Sequence, residues 1–303
     1  MRSCASGLRP GSRCGAGTPR SSRPSRPCCP PGPRRGHGCA RPRPRGAAAR
    51  LAHGRQTWRR RSPYAPAVPA AHVQARLQEL SVRWALPATA PGQLATLLTE
   101  LELEPSSVTS VRDPAVAVDV HVADALSGLA VPEVRTAAAI ADLGAGGGFP
   151  GLALAAALPA ARVTLVESVG RKCEFLGRAA SAAGLHNVEV RHSRAEEWRD
   201  GLGTQDVVTA RALASLAVLA EYAAPLLRDG GALVAWKARV APAEAEAGAT
   251  AAGIVGLEPR PPVAVEPYAE SGRRDLYVYL KVRSTPERFP RRPGMARKRP
   301  LAG

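Results

Sequence analysis

The sequence predicts an α/β protein: a doubly wound parallel sheet with helices on both faces, preceded by a small helical lead-in. Three observations predict it. From about Ala70, apolar residues recur at helical spacing. After Ala137, short apolar runs alternate with helix-length segments, the rhythm of parallel strands joined by crossover helices. The first of those runs breaks into Asp142-Leu-Gly-Ala-Gly-Gly-Gly-Phe-Pro-Gly151, a glycine-rich junction between a strand and a helix.

In the lead-in, Val73, Leu77, Leu80 and Trp84 fall on one helical face, and Leu94, Leu97, Leu98 and Leu101 form a second amphipathic stretch beyond Pro87 and Pro91. A third helix is expected from Asp113 to Leu129, with Asp113 as N-cap and Pro114 in the first turn. Strands are expected at 138–143, 162–167, 187–192, 205–210, 231–237 and 275–282, with helices at 150–158, 170–184, 213–227 and 241–252. The last strand alternates with period two, which suits an edge or antiparallel partner. The expected organisation is therefore an extension over 1–69, a helical lead-in over 70–136, a sheet domain over 137–283 and a basic tail over 284–303.

The net charge of +17 is unevenly spread. Residues 1–78 hold 17 arginines and no acid, residues 283–303 hold 7 basic side chains against 1 acid, and 79–282 come out at −6. Attraction to phosphate therefore has to come from local patches and ends. The first 62 residues, mainly Arg, Pro, Gly, Ser, Ala and Cys, lack an apolar pattern and are expected to be disordered. A basic RNA-binding arm, a transit peptide and a misassigned start would each give this composition. The last is preferred, because GC-rich DNA encodes these residues in almost any frame. Five of the six cysteines lie in this segment and only Cys173 in the body. With no Cys-x-x-Cys pair, no metal site is expected. No apolar run reaches the ~18 residues of a membrane span, so a cytoplasmic, monomeric protein is expected.

The glycine loop ends the first strand, where open α/β sheets bind ligands. Glu167 ends the second and is placed to accept both hydrogens of a ribose diol; a solvated strand end is the plainer reading. The string Gly146-Gly-Gly-Phe-Pro-Gly151 matches a dinucleotide fingerprint, so an NAD-dependent oxidoreductase is a competing reading. Its register is two residues late, however, and Pro150 lacks the N–H that a pyrophosphate would use. An S-adenosylmethionine site has no pyrophosphate to hold. Ser193-Arg-Ala-Glu-Glu197 after the third strand is either an adenine-facing loop or a polar loop with a capping serine. The fourth strand ends at Arg211 without the Asn/Asp-Pro-Pro-Tyr/Phe run of amino-group methyltransferases. A cation there is not expected to support the core.

The runs His121-Val-Ala-Asp124-Ala-Leu, Asp142–Gly151, Gly170-Arg-Lys-Cys-Glu-Phe-Leu176, Ser193–Glu197, Thr209-Ala-Arg-Ala-Leu213 and the tail Arg288–Leu301, in this order, resemble the 16S ribosomal RNA guanine-N7 methyltransferase family, also called glucose-inhibited division protein B. The resemblance spans roughly 75–301. Ser106-Ser-Val-Thr109 and Ala125 depart from the family pattern. The resemblance implies a class I, Rossmann-like fold and S-adenosylmethionine-dependent methylation of a guanine N7 in 16S rRNA or the small ribosomal subunit. It implies a cofactor site of Gly144, Gly146, Phe149, Glu167, Ala195, Glu196 and Arg211, with Arg211 positioning the reactants and no general base. It implies phosphate contacts from Arg171, Lys172, Arg194, Arg291, Arg292, Arg297 and Lys298. His121 and Asp124 match a family signature; a helix pair packed on the sheet is the alternative. A methyltransferase of the same fold acting on a small molecule or a protein is the other alternative.

Overall fold

The computed structural model of the protein describes residues 71–302; the expected extension over 1–69 lies outside them. The chain opens with α1 (Ala71–Trp84), whose buried face is Val73, Leu77 and Leu80, and α2 (Ala90–Leu103), which buries Leu94, Leu97, Leu98 and Leu101. The single helix expected over 113–129 is corrected. The structure has α3 (Pro114–Ala117), a π-helical turn over Val118–Ala123, α4 (Asp124–Leu126) and a 3-10 turn over Ser127–Ala130. Asp113 caps the start, its Oδ1 accepting from the Ala115 amide at 2.9 Å. The short α5 (Pro132–Thr136) then leads into the sheet.

The sheet elements follow as β1 (Ala139–Leu143), α6 (Gly151–Ala157), β2 (Arg162–Glu167), α7 (Gly170–Ala182), β3 (Val188–His192), β4 (Gln205–Arg211), α8 (Leu216–Ala223), β5 (Leu227–Lys237), α9 (Pro242–Val255), β6 (Leu257–Pro259), β7 (Val263–Val265), β8 (Arg274–Lys281) and α10 (Met295–Lys298). The helix expected at 213–227 is shorter, because Ala212 turns to φ +54° and a loop intervenes. α7 stops before Gly184 at φ +64°, the left-handed turn that ends many helices. α5, β6 and β7 were not anticipated. At three to five residues each, they are too short to show a period.

The strand order is β3-β2-β1-β4-β5-β8-β6, with β7 also paired to β8. β1 to β5 run parallel, whereas β8 is antiparallel to β5, β6 and β7, as its alternation predicted. Alternate strand residues feed two cores. Ile140, Leu165, Val207 and Val234 pack with α6, α7 and the lead-in helices; Ala141, Val166, Val208 and Leu233 pack with α8 and α9. The order reverses between β1 and its neighbours β2 and β4, so the loops leaving β1 and β4 flank one crevice.

The leucines of α2 share a core with Leu152, Leu154 and Phe175 rather than forming a separate one. Leu98→Ala is therefore expected to lower the stability of the whole unit by about 2–5 kcal/mol in urea denaturation. A loss below about 1 kcal/mol would show that the lead-in contributes little to the sheet's core.

Candidate functional site

Asp142, 1 % exposed at the end of β1, sets the geometry of the site. Its Oδ2 accepts from the Gly151 amide and its Oδ1 from the Thr209 hydroxyl on β4, each at 3.0 Å. Gly151 has to be glycine: a Cβ there would lie 2.3 Å from Leu165 Cδ2 and 2.9 Å from Asp142 Oδ2. Burial raises the Asp142 carboxyl from its ordinary 3.8 to about 6, against the lowering effect of those hydrogen bonds and of Arg211. Glu167 ties the same loop to β2. Its Oε2 accepts from the Gly146 amide at 3.0 Å and its Oε1 from the Ser168 and Val169 amides at 2.8 and 2.9 Å.

Two amides of the loop, those of Gly146 and Gly151, are thus bonded to protein carboxylates. Negative charge behind a glycine loop suits a cationic sulfonium nucleoside and opposes a pyrophosphate. Two cavities meet at Gly144, whose φ of +68° and close approach to Leu213 Cδ1 (2.6 Å from a Cβ) exclude a side chain. The larger, about 530 Å³, has Phe149, His121, Asp124, Arg211, Trp236 and Arg274 in its wall. The smaller, about 290 Å³, has apolar walls of Leu143, Val166 and Leu213 and polar edges from Ser193, Glu196 and Arg297. Among the described residues, no cluster of His, Cys, Asp or Glu could hold a metal ion, and no helix is long and apolar enough to cross a membrane.

Of the expected cofactor residues, Gly144, Gly146, Phe149 and Arg211 line the larger cavity; Gly144, Ala195 and Glu196 line the smaller. Glu167 is in neither wall, its carboxylate being turned to the loop amides. Arg211 is not a free strand-end cation, contrary to expectation. Its Nη1 donates to Asp124 Oδ2 at 2.9 Å and to the Val120 carbonyl, in the π-helical turn, at 3.0 Å. Its Nη2 donates to His121 Nδ1 at 3.2 Å. His121 must therefore accept at Nδ1 and carry its proton on Nε2, which lies 3.0 Å from the Val111 carbonyl and 3.1 Å from Thr109 Oγ1. Burial and then the Arg211 charge hold this histidine below its usual range, so it is the neutral form that supports Arg211. The ring also stacks on Phe149, centroids 5.3 Å apart.

Three residues of this wall escaped the sequence reading. Arg274 Nε lies 3.3 Å from Asp124 Oδ1, so one buried carboxylate serves two guanidinium groups. Trp236 Nε1 donates to the Asp124 carbonyl at 2.9 Å. Lys237 bonds Glu244 at 2.7 Å. They come from β5 and β8, strands with no motif in the sequence; the signal available was Arg274 opening a strand that the pattern already showed.

The phosphate-contact set divides. Arg171 and Lys172 stand in the first turn of α7, and Arg292 and Lys298 are exposed in the tail. Arg194 edges the smaller cavity. Arg291 is corrected: its Nε bonds Glu221 Oε1 at 2.6 Å and its Nη2 bonds Glu221 Oε2, leaving it spoken for. Arg297 lines the smaller cavity and donates to the Leu213 carbonyl at 2.8 Å. The cause is tertiary. Phe289 and Ala296 are buried beside α8, which folds the tail onto the domain.

Two outcomes follow from this geometry. Because the folded state holds the Asp142 proton more tightly than the unfolded chain, stability falls as pH rises from about 4 to about 6 and stays lower above it. At about 1.36 kcal/mol per unit the effect totals about 3 kcal/mol. Asp142→Asn should remove that slope, since its amide can accept from Gly151 and donate to Thr209, which keeps the Ala141 carbonyl as acceptor. Equal slopes in pH-dependent denaturation would refute it. Arg211→Ala should cost about 1–3 kcal/mol of stability as well as turnover, because it strips a partner from buried Asp124. Unchanged thermal stability would contradict that support role.

The rRNA small subunit methyltransferase G family model matches residues 93–264. A protein of Rubrobacter xylanophilus named ribosomal RNA small subunit methyltransferase G is 40% identical over 204 residues, covering 65% of this chain and 78% of the relative. Proteins of the same name from Chloroflexus aggregans and Lacticaseibacillus paracasei are each 38% identical, over 74% and 60% of this chain and 97% and 78% of their own. With a family match over more than half its length, carried on a class I S-adenosylmethionine-dependent methyltransferase fold, this chain belongs to the rRNA small subunit methyltransferase G family.

Proposed function

We propose that this chain transfers the methyl group of S-adenosylmethionine to N7 of a guanine in small-subunit (16S) ribosomal RNA. The observation that carries the reading is that the histidine and the carboxylate of the larger cavity are both held by guanidinium groups: Arg211 engages His121 Nδ1 and Asp124 Oδ2, and Arg274 lies 3.3 Å from Asp124 Oδ1. Guanine N7 presents a lone pair and has no proton to lose, so methylation there needs alignment and not a base. Family membership supports ribosomal RNA as the substrate.

Gly144, Gly146 and Phe149 would hold the methionine and sugar part of the cofactor, and Ala195 and Glu196 its purine, with Glu167 keeping the loop in shape. When bound, the cofactor supplies an electrophilic methyl group on a positively charged sulfur. Asp142 and Glu167 place negative charge behind that position. Arg211 stands at the junction of cofactor and base, where the fork held by Asp124, Val120 and His121 keeps the guanidinium plane in one orientation. Arg171, Lys172, Arg194, Arg292 and Lys298 supply the cations for the RNA backbone.

Incubating the protein with S-adenosylmethionine and small-subunit rRNA or particles, then digesting the RNA for nucleoside mass spectrometry, should yield 7-methylguanosine. A methylated product other than that nucleoside would overturn the assignment to N7. Removing Arg292 and Lys298 together should weaken RNA binding and lower the log–log salt slope by about 1–2; an unchanged slope takes those two side chains out of the interface.

A further inference from the structure

The tail after β8 forms part of the wall of the smaller cavity. The Gly294 amide donates to Glu196 Oε1 at 2.9 Å, Arg291 clasps Glu221, and Ala296 is buried. These contacts bring α10 to the cavity edge, where Arg297 donates to the Leu213 carbonyl and shares the cavity wall with Tyr222. Tyr222 lies on α8 and lines the same cavity.

We propose that Arg297, anchored on the Leu213 carbonyl beside Tyr222, is a cofactor-binding residue that recognises the purine end of an adenine nucleoside, and not a contact to RNA phosphate. The electrostatics favour a neutral ring. Glu196 stands in the same cavity wall as Arg297, and a phosphate brought to that guanidinium would meet its carboxylate. A purine carries no charge, offers ring-nitrogen acceptors to the remaining N–H donors, and presents a face on which a guanidinium stacks. The cavity has apolar side walls from Leu143, Val166 and Leu213, which suit the flat faces of a base. Arg297 remains exposed in the protein alone, which leaves its donors available to a ligand. The family's basic tail thereby serves two partners from neighbouring positions: Arg297 the cofactor, Lys298 the RNA.

The inference rests on the reading that S-adenosylmethionine occupies the two cavities, so the test measures cofactor binding without RNA. S-adenosylhomocysteine is titrated calorimetrically into the full chain, and rRNA binding is measured separately on the same variants. Arg297→Ala should weaken S-adenosylhomocysteine about tenfold or more and leave RNA affinity within about twofold. Tyr222→Phe, which keeps the ring and removes the hydroxyl, should weaken the same ligand by a smaller factor, and Arg297→Lys should not restore it, since the planar fork is lost. Melting temperatures without ligand check that the variants fold. Unchanged S-adenosylhomocysteine affinity together with weaker RNA binding in Arg297→Ala overturns the inference and returns Arg297 to the RNA face. Failure of the unaltered protein to bind S-adenosylhomocysteine refutes the cofactor reading itself.

Discussion

Asp142 accepts one hydrogen bond from the first residue of α6 and another from β4, so it joins three elements where the strand order reverses. Burying that carboxylate opposes its ionisation, and its two donors offset only part of the cost. In return the glycine loop is held from behind, Gly151 by Asp142 and Gly146 by Glu167. Two of the loop amides are thereby committed to protein carboxylates. The same anchoring separates this site from a phosphate cradle. A loop backed by carboxylates is matched to positive charge in the ligand.

The second fixed point is the carboxylate of Asp124. Arg211 reaches it from β4 and Arg274 from β8, so two strands that are not neighbours are linked through one helical residue. The π-helical turn before Asp124 brings the Val120 carbonyl and the His121 ring to Arg211 along with it. Such turns often occur at functional sites, because widening the helix exposes backbone and side-chain groups that a regular helix would bury. Here the result is a guanidinium fixed from three sides. The family assignment and this geometry point the same way, toward chemistry that depends on placing reactants.

The tail shows how packing redistributes charge. Four of its residues, Arg291, Arg292, Arg297 and Lys298, are alike in charge, yet burial of Phe289 and Ala296 assigns their side chains to different tasks. Arg291 becomes a structural counter-ion of Glu221, Arg297 faces the smaller cavity, and Arg292 and Lys298 point to solvent. A cluster that reads as a uniform basic surface is a folded strap with only part of its charge outward.

What the sequence determined by itself are features with a local cause. Short apolar runs alternating with helix-length segments placed β1 to β5, period-two alternation placed β8, and helical spacing placed the lead-in helices. The antiparallel β8 was legible in its alternation, and the glycine junction in its departures from ordinary backbone. Motif order carried the family and the residues at the strand ends, including Arg211, Ala195 and Glu196. Tertiary structure alone decided the π-helical turn, the short β6 and β7, and the partners of each charge. Trp236 and Arg274 were invisible as site residues, because strand order brings them beside Asp124 across more than a hundred positions of chain. Local preference says where a chain bends and which face is apolar. Which carboxylate meets which guanidinium depends on distances between elements, and only packing sets those.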